Sequence, residues 1–204
     1  MEALPVYLAL FAILLASLSI HEAAHAWAAD RLGDPTARLL GRLTLNPVAH
    51  IDPIGTLLLP AIAIVTRLPI IGWAKPVPVN LQHLRHPRRD FMYIAAAGPA
   101  SNLVLAGLAA IGVRAIGFEG ADSVLFTFLL LMVIVNVLLA VFNMLPIPPL
   151  DGGNVLSGLL RGRVSDLFDR LRPYGFLILY GLLLTGVFQR IVLPVQERIV
   201  GWLI

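Results

Sequence analysis

The residues with the clearest chemical potential lie near the beginning of the chain, in the run His21-Glu22-Ala23-Ala24-His25. In an α-helix, residues four apart share a face, so both imidazoles can reach one metal ion. The glutamate between them is placed to take a proton from a water molecule at that metal. The spacing therefore predicts a metal site on a helix, with His21 and His25 as ligands and Glu22 as the catalytic acid/base.

A third ligand is needed, because two histidines leave a catalytic zinc ion one protein ligand short. The chain has no cysteine, so this ligand must be a histidine or a carboxylate. Asp151 is the best candidate, since it follows a proline-rich break and precedes two glycines that let the backbone approach closely. The sequence thus predicts one zinc ion per chain, although Asp151 could instead cap the helix that follows it.

The composition indicates where these residues must be placed. Hydrophobic residues make up 58% of the 204 residues, charged residues 13%, and the mean hydropathy is +0.86. Soluble domains carry about 25% charged residues, so an ordinary cytosolic domain and a disordered chain are both excluded. The net charge is only +3 and no long basic run occurs, which excludes a nucleic-acid partner. The expected environment is a lipid bilayer.

The apolar segments predict a single all-α polytopic domain over residues 1–204. A crossing helix needs about 20 mainly apolar residues. Four crossings are predicted, at residues 4–29, 90–116, 123–145 and 173–189. Residues 53–71 are short and interrupted by proline, which favours a re-entrant segment or a short helix over a crossing. Residues 72–80 alternate valine with proline, which predicts an extended segment at a β edge.

Two independent arguments predict the same topology. The basic residues cluster in three loops, and the positive-inside rule places all three in the cytoplasm only if residues 53–71 do not cross. The histidine pair and Asp151 each lie near the carboxyl end of a crossing helix, so the two helices must run in the same direction to share a metal. That also requires residues 53–71 not to cross. The metal site is therefore expected near the cytoplasmic face.

The alternatives to a metal site explain less of the pattern. A charged group inside a membrane segment costs at least about 2.5–3.5 kcal/mol, so such groups are functional by default. His21 and His25 could reach the interface and pair with Asp30 or lipid headgroups, but this explains neither their spacing nor the acid between them. A zinc-binding transporter or scaffold without hydrolytic activity would not need Glu22.

Three motifs together resemble the signatures of the site-two protease family of intramembrane zinc metalloproteases. They are His21-Glu22-x-x-His25, Gly98-Pro-Ala-Ser-Asn102 and Asn143-x-x-Pro-x-x-Pro-Leu-Asp151-Gly, in the expected order along nearly the whole chain. The resemblance implies a three-helix catalytic core, with the two histidines and the aspartate as zinc ligands and the glutamate as acid/base. Residues 72–80 are similar to the family's extended segment beside the active site. The chain resembles a minimal member without PDZ or CBS domains.

The function that follows is hydrolysis of peptide bonds in membrane-embedded protein substrates near the cytoplasmic face. The expected partners are a transmembrane protein or peptide substrate and the bilayer. Fourteen arginines against one lysine favour a prokaryotic origin, so the expected location is a multi-pass protein in a prokaryotic plasma membrane.

Asn102 and Asn143 are candidate supporting residues, each with two open interpretations. Asn102 could assist the site directly or belong to a packing and kink site beside Pro99. Asn143 could orient a substrate carbonyl or satisfy backbone groups freed by the prolines that follow it.

Overall fold

The chain folds into α-helices and connecting loops. A computed structural model describes residues 3–59, 62, 65, 74–117, 120–121 and 123–204. The helices within these residues are α1 (Ala3–Arg31), α2 (Thr36–Leu39), α3 (Pro87–Ile116), α4 (Val124–Asn143), α5 (Asp151–Leu159), α6 (Arg163–Leu171), α7 (Gly175–Leu184) and α8 (Val187–Leu203). Short 3₁₀ turns span Pro47–His50, Leu81–His83 and Arg172–Tyr174. This confirms the predicted all-α class.

Three of the helices, α1, α3 and α4, are long and apolar enough to cross a membrane. Arg172–Leu184 and Phe188–Leu203 meet the same criterion as a pair, but they are bent by 82° relative to each other. The protein is therefore a multi-pass membrane protein. The bend lies within predicted crossing 173–189, next to Gly186, whose φ of 74° is a left-handed value that glycine adopts without strain.

Most of the predicted re-entrant segment at 53–71 lies outside the described residues, as do residues 72–73 of the predicted extended segment. The first part of the re-entrant segment, Pro53–Leu58, forms a π-helical turn. The Asp52 carboxylate accepts hydrogen bonds from the backbone N–H groups of Ile54 and Gly55 at its start. Residues 74–80 contain neither helix nor strand, and no β-strand occurs elsewhere in the described ranges. The prolines thus exclude a helix here, but residues 74–80 form no sheet edge.

Local sequence signals set the helix ends. The α1 helix ends at Arg31, two residues before Gly33, whose φ is 109°, and the Asp34 backbone N–H donates back to the Ala29 carbonyl at 2.9 Å. Pro87 opens α3 at a position where its missing N–H is no loss. Ser123 caps α4, and its hydroxyl accepts from the Phe126 amide at 3.1 Å.

The α3 helix is the centre of the bundle and packs against α1, α4 and α5. Along α4 the contacts run in opposite order, since Asn102 meets Asn136 while Gly112 faces Leu129. The two helices are therefore antiparallel. Alanines on α3 allow this close approach, and Ala106 and Ala110 are buried in one cluster with residues of α4.

The same test applies to α1, where His21 contacts Asn102 and His25 contacts Ile94. As the α1 number falls the α3 number rises, so these helices are also antiparallel. Both α1 and α4 thus run opposite to α3 and parallel to each other. This is the co-directional arrangement that the sequence argument requires for a shared metal.

The outer faces of the long helices are apolar and exposed. On α3, Leu108 and Ile111 are 62% and 66% exposed, and Phe11 on α1 is 61% exposed. Continuous exposed apolar faces are typical of helices that meet lipid rather than water.

Candidate metal site

The three predicted ligands lie together in the interior. His21 and His25 are only 4% and 8% exposed. Their Nε2 atoms are 3.1 Å apart, and the Asp151 Oδ2 atom lies 3.1 Å from His21 Nε2 and 3.4 Å from His25 Nε2. These three residues form a group that could hold a metal ion, because one ligand atom from each lies within 4.8 Å of the others.

A tight turn between α4 and α5 carries Asp151 back to the histidines. Asp151 is the first residue of α5, and Leu150 takes the N-cap position. A Cβ atom on Gly153 would lie 2.7 Å from the Ile147 carbonyl carbon, so only glycine lets the first turn of α5 pack against this loop. The predicted close approach is therefore one of backbone against backbone.

The α3 helix supplies the space in which the ligands meet. A Cβ atom on Gly98 would lie 2.5 Å from His21 Nε2 and 2.6 Å from His21 Cε1. Real side chains do not tolerate such distances, so the absence of a side chain at position 98 is what lets both imidazoles face Asp151.

The outer nitrogen of each imidazole is held by α3. His25 Nδ1 lies 2.7 Å from the Ile94 carbonyl oxygen, and His21 Nδ1 lies 2.6 Å from Asn102 Oδ1. A carbonyl oxygen only accepts, so His25 Nδ1 must carry the proton and donate it. The neutral ring then presents the Nε2 lone pair towards Asp151, which is the usual arrangement for a histidine that binds metal.

The donor set fits one metal ion. Asp151 Oδ2 is a buried atom without a hydrogen-bond partner in the described part of the chain. It faces the Nε2 atoms of both imidazoles, and when the rings are neutral with their protons on Nδ1, the centre of the group gathers three lone pairs that a cation can accept. Two imidazoles and one carboxylate form a set that suits zinc. With zinc bound, the group would supply the three protein ligands that are usual for catalytic zinc sites.

Glu22 lies on α1 between the two histidines and is partly exposed. A carboxylate beside a metal site but open to solvent can exchange protons with water. Its catalytic role remains a prediction.

The two candidate asparagines differ in what they contact. Asn102 is fully buried and contacts His21 Nδ1, and its supporting role stays a prediction. Asn143 donates from Nδ2 to the Leu139 carbonyl at 3.0 Å, on its own helix. Sequence reasoning missed Asn136, which accepts from Asn102 Nδ2 at 2.9 Å. The sequence did contain a signal for Asn136, because a side-chain amide in the middle of an apolar crossing helix must find a hydrogen-bond partner.

The loop after α1 clasps residues 74–80 at both ends. At one end the Asp34 carboxylate is fully buried. It accepts a hydrogen bond from the backbone N–H of Asn80 at 2.6 Å and another from His83 Nδ1 at 2.9 Å. At the other end Arg42 donates to the Lys75 carbonyl at 2.5 Å. Burial opposes ionisation of Asp34, but hydrogen bonds from Thr36, His83 and Asn80 outweigh it and lower the pKa of this carboxyl.

A further contact fixes the helix that carries Asp151. The Arg88 guanidinium, near the start of α3, donates two hydrogen bonds to the Ser157 carbonyl of α5, at 2.9 and 2.7 Å. Arg88 also contacts the Ser165 hydroxyl on α6. Arg88, a basic residue of a predicted cytoplasmic loop, therefore also holds in place the helix that begins with Asp151.

Comparison with known proteins assigns the family. A family model described as peptidase family M50 matches residues 118–185. The chain is 35% identical over 187 residues to "Putative zinc metalloprotease YwhC" from Bacillus subtilis, an alignment that covers 89% of this chain and 82% of that protein. The chain belongs to peptidase family M50. This confirms the resemblance to the site-two proteases, and the M50 chain is a zinc metalloprotease.

A second relative supports the same assignment for this M50 protein. It is "Putative zinc metalloprotease Rip2" from Mycolicibacterium smegmatis, 35% identical over 185 residues, with 91% of this chain and 70% of that protein covered. No solved structure matches the chain.

Proposed function

We propose that this M50 protease hydrolyses peptide bonds of membrane-embedded protein substrates near the cytoplasmic face of the bilayer. His21, His25 and Asp151 are the zinc ligands in this proposal, and Glu22 is the catalytic acid/base. The observation that carries it is the convergence of two Nε2 atoms and one carboxylate oxygen inside a bundle of apolar helices.

The location of the site supports an intramembrane substrate. Each histidine lies within α1, and the residues that hold them, Ile94 and Asn102, lie within α3; both helices are candidate crossings. A scissile bond must therefore come to a site surrounded by helices that meet lipid. A transmembrane helix hides its carbonyls in its own hydrogen bonds, so the substrate has to unwind locally before it can be cleaved.

The proposed chemistry divides between zinc and Glu22. A zinc ion held by the three ligands supplies Lewis acidity, which lowers the pKa of water and polarises a carbonyl. Glu22 takes the proton from the attacking water and later gives it to the leaving amine. Partial exposure suits this exchange, because the carboxylate can return to its starting state through solvent.

The charge distribution supports the orientation and the membrane. The chain has three basic loops, which contain Arg38, Arg88 and Arg161. The positive-inside rule places all three loops in the cytoplasm. The proposed location is the plasma membrane of a prokaryote. The two relatives described above are bacterial proteins, which agrees with this location.

The test is cleavage of a membrane-embedded reporter by purified protein, with wild type compared with Glu22→Gln. Loss of a general base costs about 10²–10⁴-fold in rate, so the variant is expected to lose activity by that factor. Its zinc content should stay unchanged, because Glu22 is not among the ligands. Glu197→Gln makes the same chemical change at an exposed site on α8 and should keep full activity.

Two outcomes would contradict the proposal. Equal cleavage by wild type and Glu22→Gln would remove the assigned role of Glu22. Stoichiometric zinc in the wild type, without cleavage of any membrane-embedded reporter, would favour the zinc-binding scaffold over an intramembrane protease.

A further inference from the structure

Asn136 lies in the middle of α4, where neither helix packing nor the crossing of a membrane requires a polar side chain. Asn136 is fully buried, with valine at positions 133 and 137 on the same buried face. An amide inside an apolar helix costs free energy unless both of its ends find partners. Its two partners connect it to the metal site.

The first partner fixes which way the Asn136 amide points. Its Nδ2 atom lies 2.9 Å from the Met132 carbonyl oxygen, one turn earlier on the same helix. A carbonyl only accepts, so the NH₂ group must face Met132 and Oδ1 must face away. The amide orientation is thus set by the chemistry of its neighbours.

The second partner passes this orientation to α3. Asn136 Oδ1 lies 2.9 Å from Asn102 Nδ2 and accepts from it. With its NH₂ group used in this way, Asn102 can offer only Oδ1 to His21 Nδ1, which lies 2.6 Å away. His21 must then carry its proton on Nδ1 and donate it.

The reverse orientation would be incompatible with metal binding. If Asn102 turned its NH₂ group towards His21, Nδ1 would have to accept, and the neutral ring would carry its proton on Nε2. Nε2 is the atom that faces Asp151 at 3.1 Å. A proton there occupies the position that the metal requires.

We infer that Asn136 is a positioning residue for the metal site, which sets the tautomer of His21 through Asn102. The inference rests on the proposed role of His21 as a zinc ligand. It assigns to α4 a part in the site, although the candidate ligand Asp151 itself lies on α5.

The test measures zinc affinity of the full chain in detergent at neutral pH, by competition with a chromophoric chelator. Asn136→Leu removes both hydrogen bonds and frees the Asn102 amide. Loss of a residue that orients a metal-binding histidine costs about 10–100-fold in metal affinity, and the same loss is expected here.

Two further variants separate positioning from folding. In Asn136→Asp, the neutral acid can donate to the Met132 carbonyl and accept from Asn102, so zinc affinity should return to within a few-fold of wild type. In Asn136→Ser, the hydroxyl can bond to Met132 but is too short to reach Asn102, so the loss should equal that of Asn136→Leu. The serine variant also serves if the leucine variant does not fold.

Gln196→Leu is the matched control. Gln196 is a buried amide that donates to an α4 carbonyl, that of Ile134, at 3.1 Å, and it makes no contact with the metal group. Its loss should lower thermal stability and leave zinc affinity unchanged.

Each outcome decides one question. Wild-type zinc affinity in Asn136→Leu or Asn136→Ser would overturn the inference while leaving the proposed function intact. Equal weakening by Gln196→Leu, or no recovery in Asn136→Asp, would reduce Asn136 to a structural residue. Absence of zinc binding in the wild type would instead contradict the proposed function itself.

Discussion

At the scale of single residues, the site depends on which atoms carry protons. His25 is fixed by a backbone carbonyl and His21 by an asparagine, so both rings direct their Nε2 lone pairs at Asp151. A gathering of lone pairs within a low-dielectric interior is unfavourable until a cation joins it. The same feature that makes the group costly in isolation favours the binding of a cation there.

Gly98 gives a prediction at this scale. A methyl group at position 98 would meet both imidazole rings, so Gly98→Ala should displace them and lower zinc affinity by about 10-fold or more, judged from the sensitivity of metal sites to ligand orientation. The measurement is chelator competition with purified protein.

Gly107 provides the control, because it lies on the same helix and a Cβ atom there would meet nothing within 4 Å. Gly107→Ala should keep wild-type zinc affinity and gain up to about 1 kcal/mol of helix stability. Equal zinc affinity in both variants would show that the small residue at position 98 is not needed for the ligands.

At the scale of elements, the loop after α1 connects the histidine helix to residues 74–80. Asp34 receives the Asn80 amide, and Arg42 holds the carbonyl of Lys75. A short segment without its own hydrogen-bond ladder thus has a defined path. The proline pattern predicted the lack of helix, but only the packed loop reveals the residues that hold the segment.

Asp34 gives a prediction for this element. The pKa of Asp34 in the folded state lies below the ordinary value of 3.8. The ionised carboxylate therefore stabilises the fold fully above pH 3.8, and this stabilisation is lost as the pH falls through the lower pKa of the folded state. Asp34→Asn should therefore lower stability at neutral pH by about 1.5–3 kcal/mol, the worth of a hydrogen bond to a charged group. The difference from wild type should shrink below about pH 4.

Thermal unfolding in detergent and hydrogen exchange at the Asn80 amide are the two measurements. Exchange at Asn80 should accelerate in Asp34→Asn. Asp30→Asn is the control, because Asp30 pairs with the exposed Arg38, and such surface pairs contribute at most about 1 kcal/mol. Unchanged protection of the Asn80 backbone N–H in Asp34→Asn would show that Asp34 does not hold residues 74–80 in place.

At the scale of the whole molecule, the helix directions bring distant parts of the chain to one point. The α1 and α4 helices are both antiparallel to α3, so the end of the first crossing and the turn after the third lie at the same end of the bundle. The membrane topology and the metal site are therefore one property of the fold.

The absence of cysteine makes this topology directly testable, because single cysteines can be introduced without background. Exposed positions 40 and 161 should react with a membrane-impermeant maleimide from the same side, and exposed position 121 from the other. Labelling in inverted and right-side-out vesicles measures this. Reaction of Leu40→Cys and Arg161→Cys from opposite sides would contradict the helix arrangement.

The sequence alone determined the chemistry and the class of fold, because both depend on local patterns. The spacing of His21 and His25 and the lengths of the apolar runs follow from helix geometry and bilayer thickness. The prolines after Asn143 and the glycines after Asp151 likewise marked the turn that brings Asp151, the proposed third ligand, to the histidines.

Only the tertiary structure decided which buried polar groups meet. Asn136 and Asn102 are 34 positions apart and carry no periodic signal, so their contact follows from the packing of α3 on α4. The anchoring of the Asn80 backbone N–H by Asp34 likewise joins residues that are distant in the chain. Local patterns fix what each helix is, whereas the register between helices comes from the fit of whole surfaces.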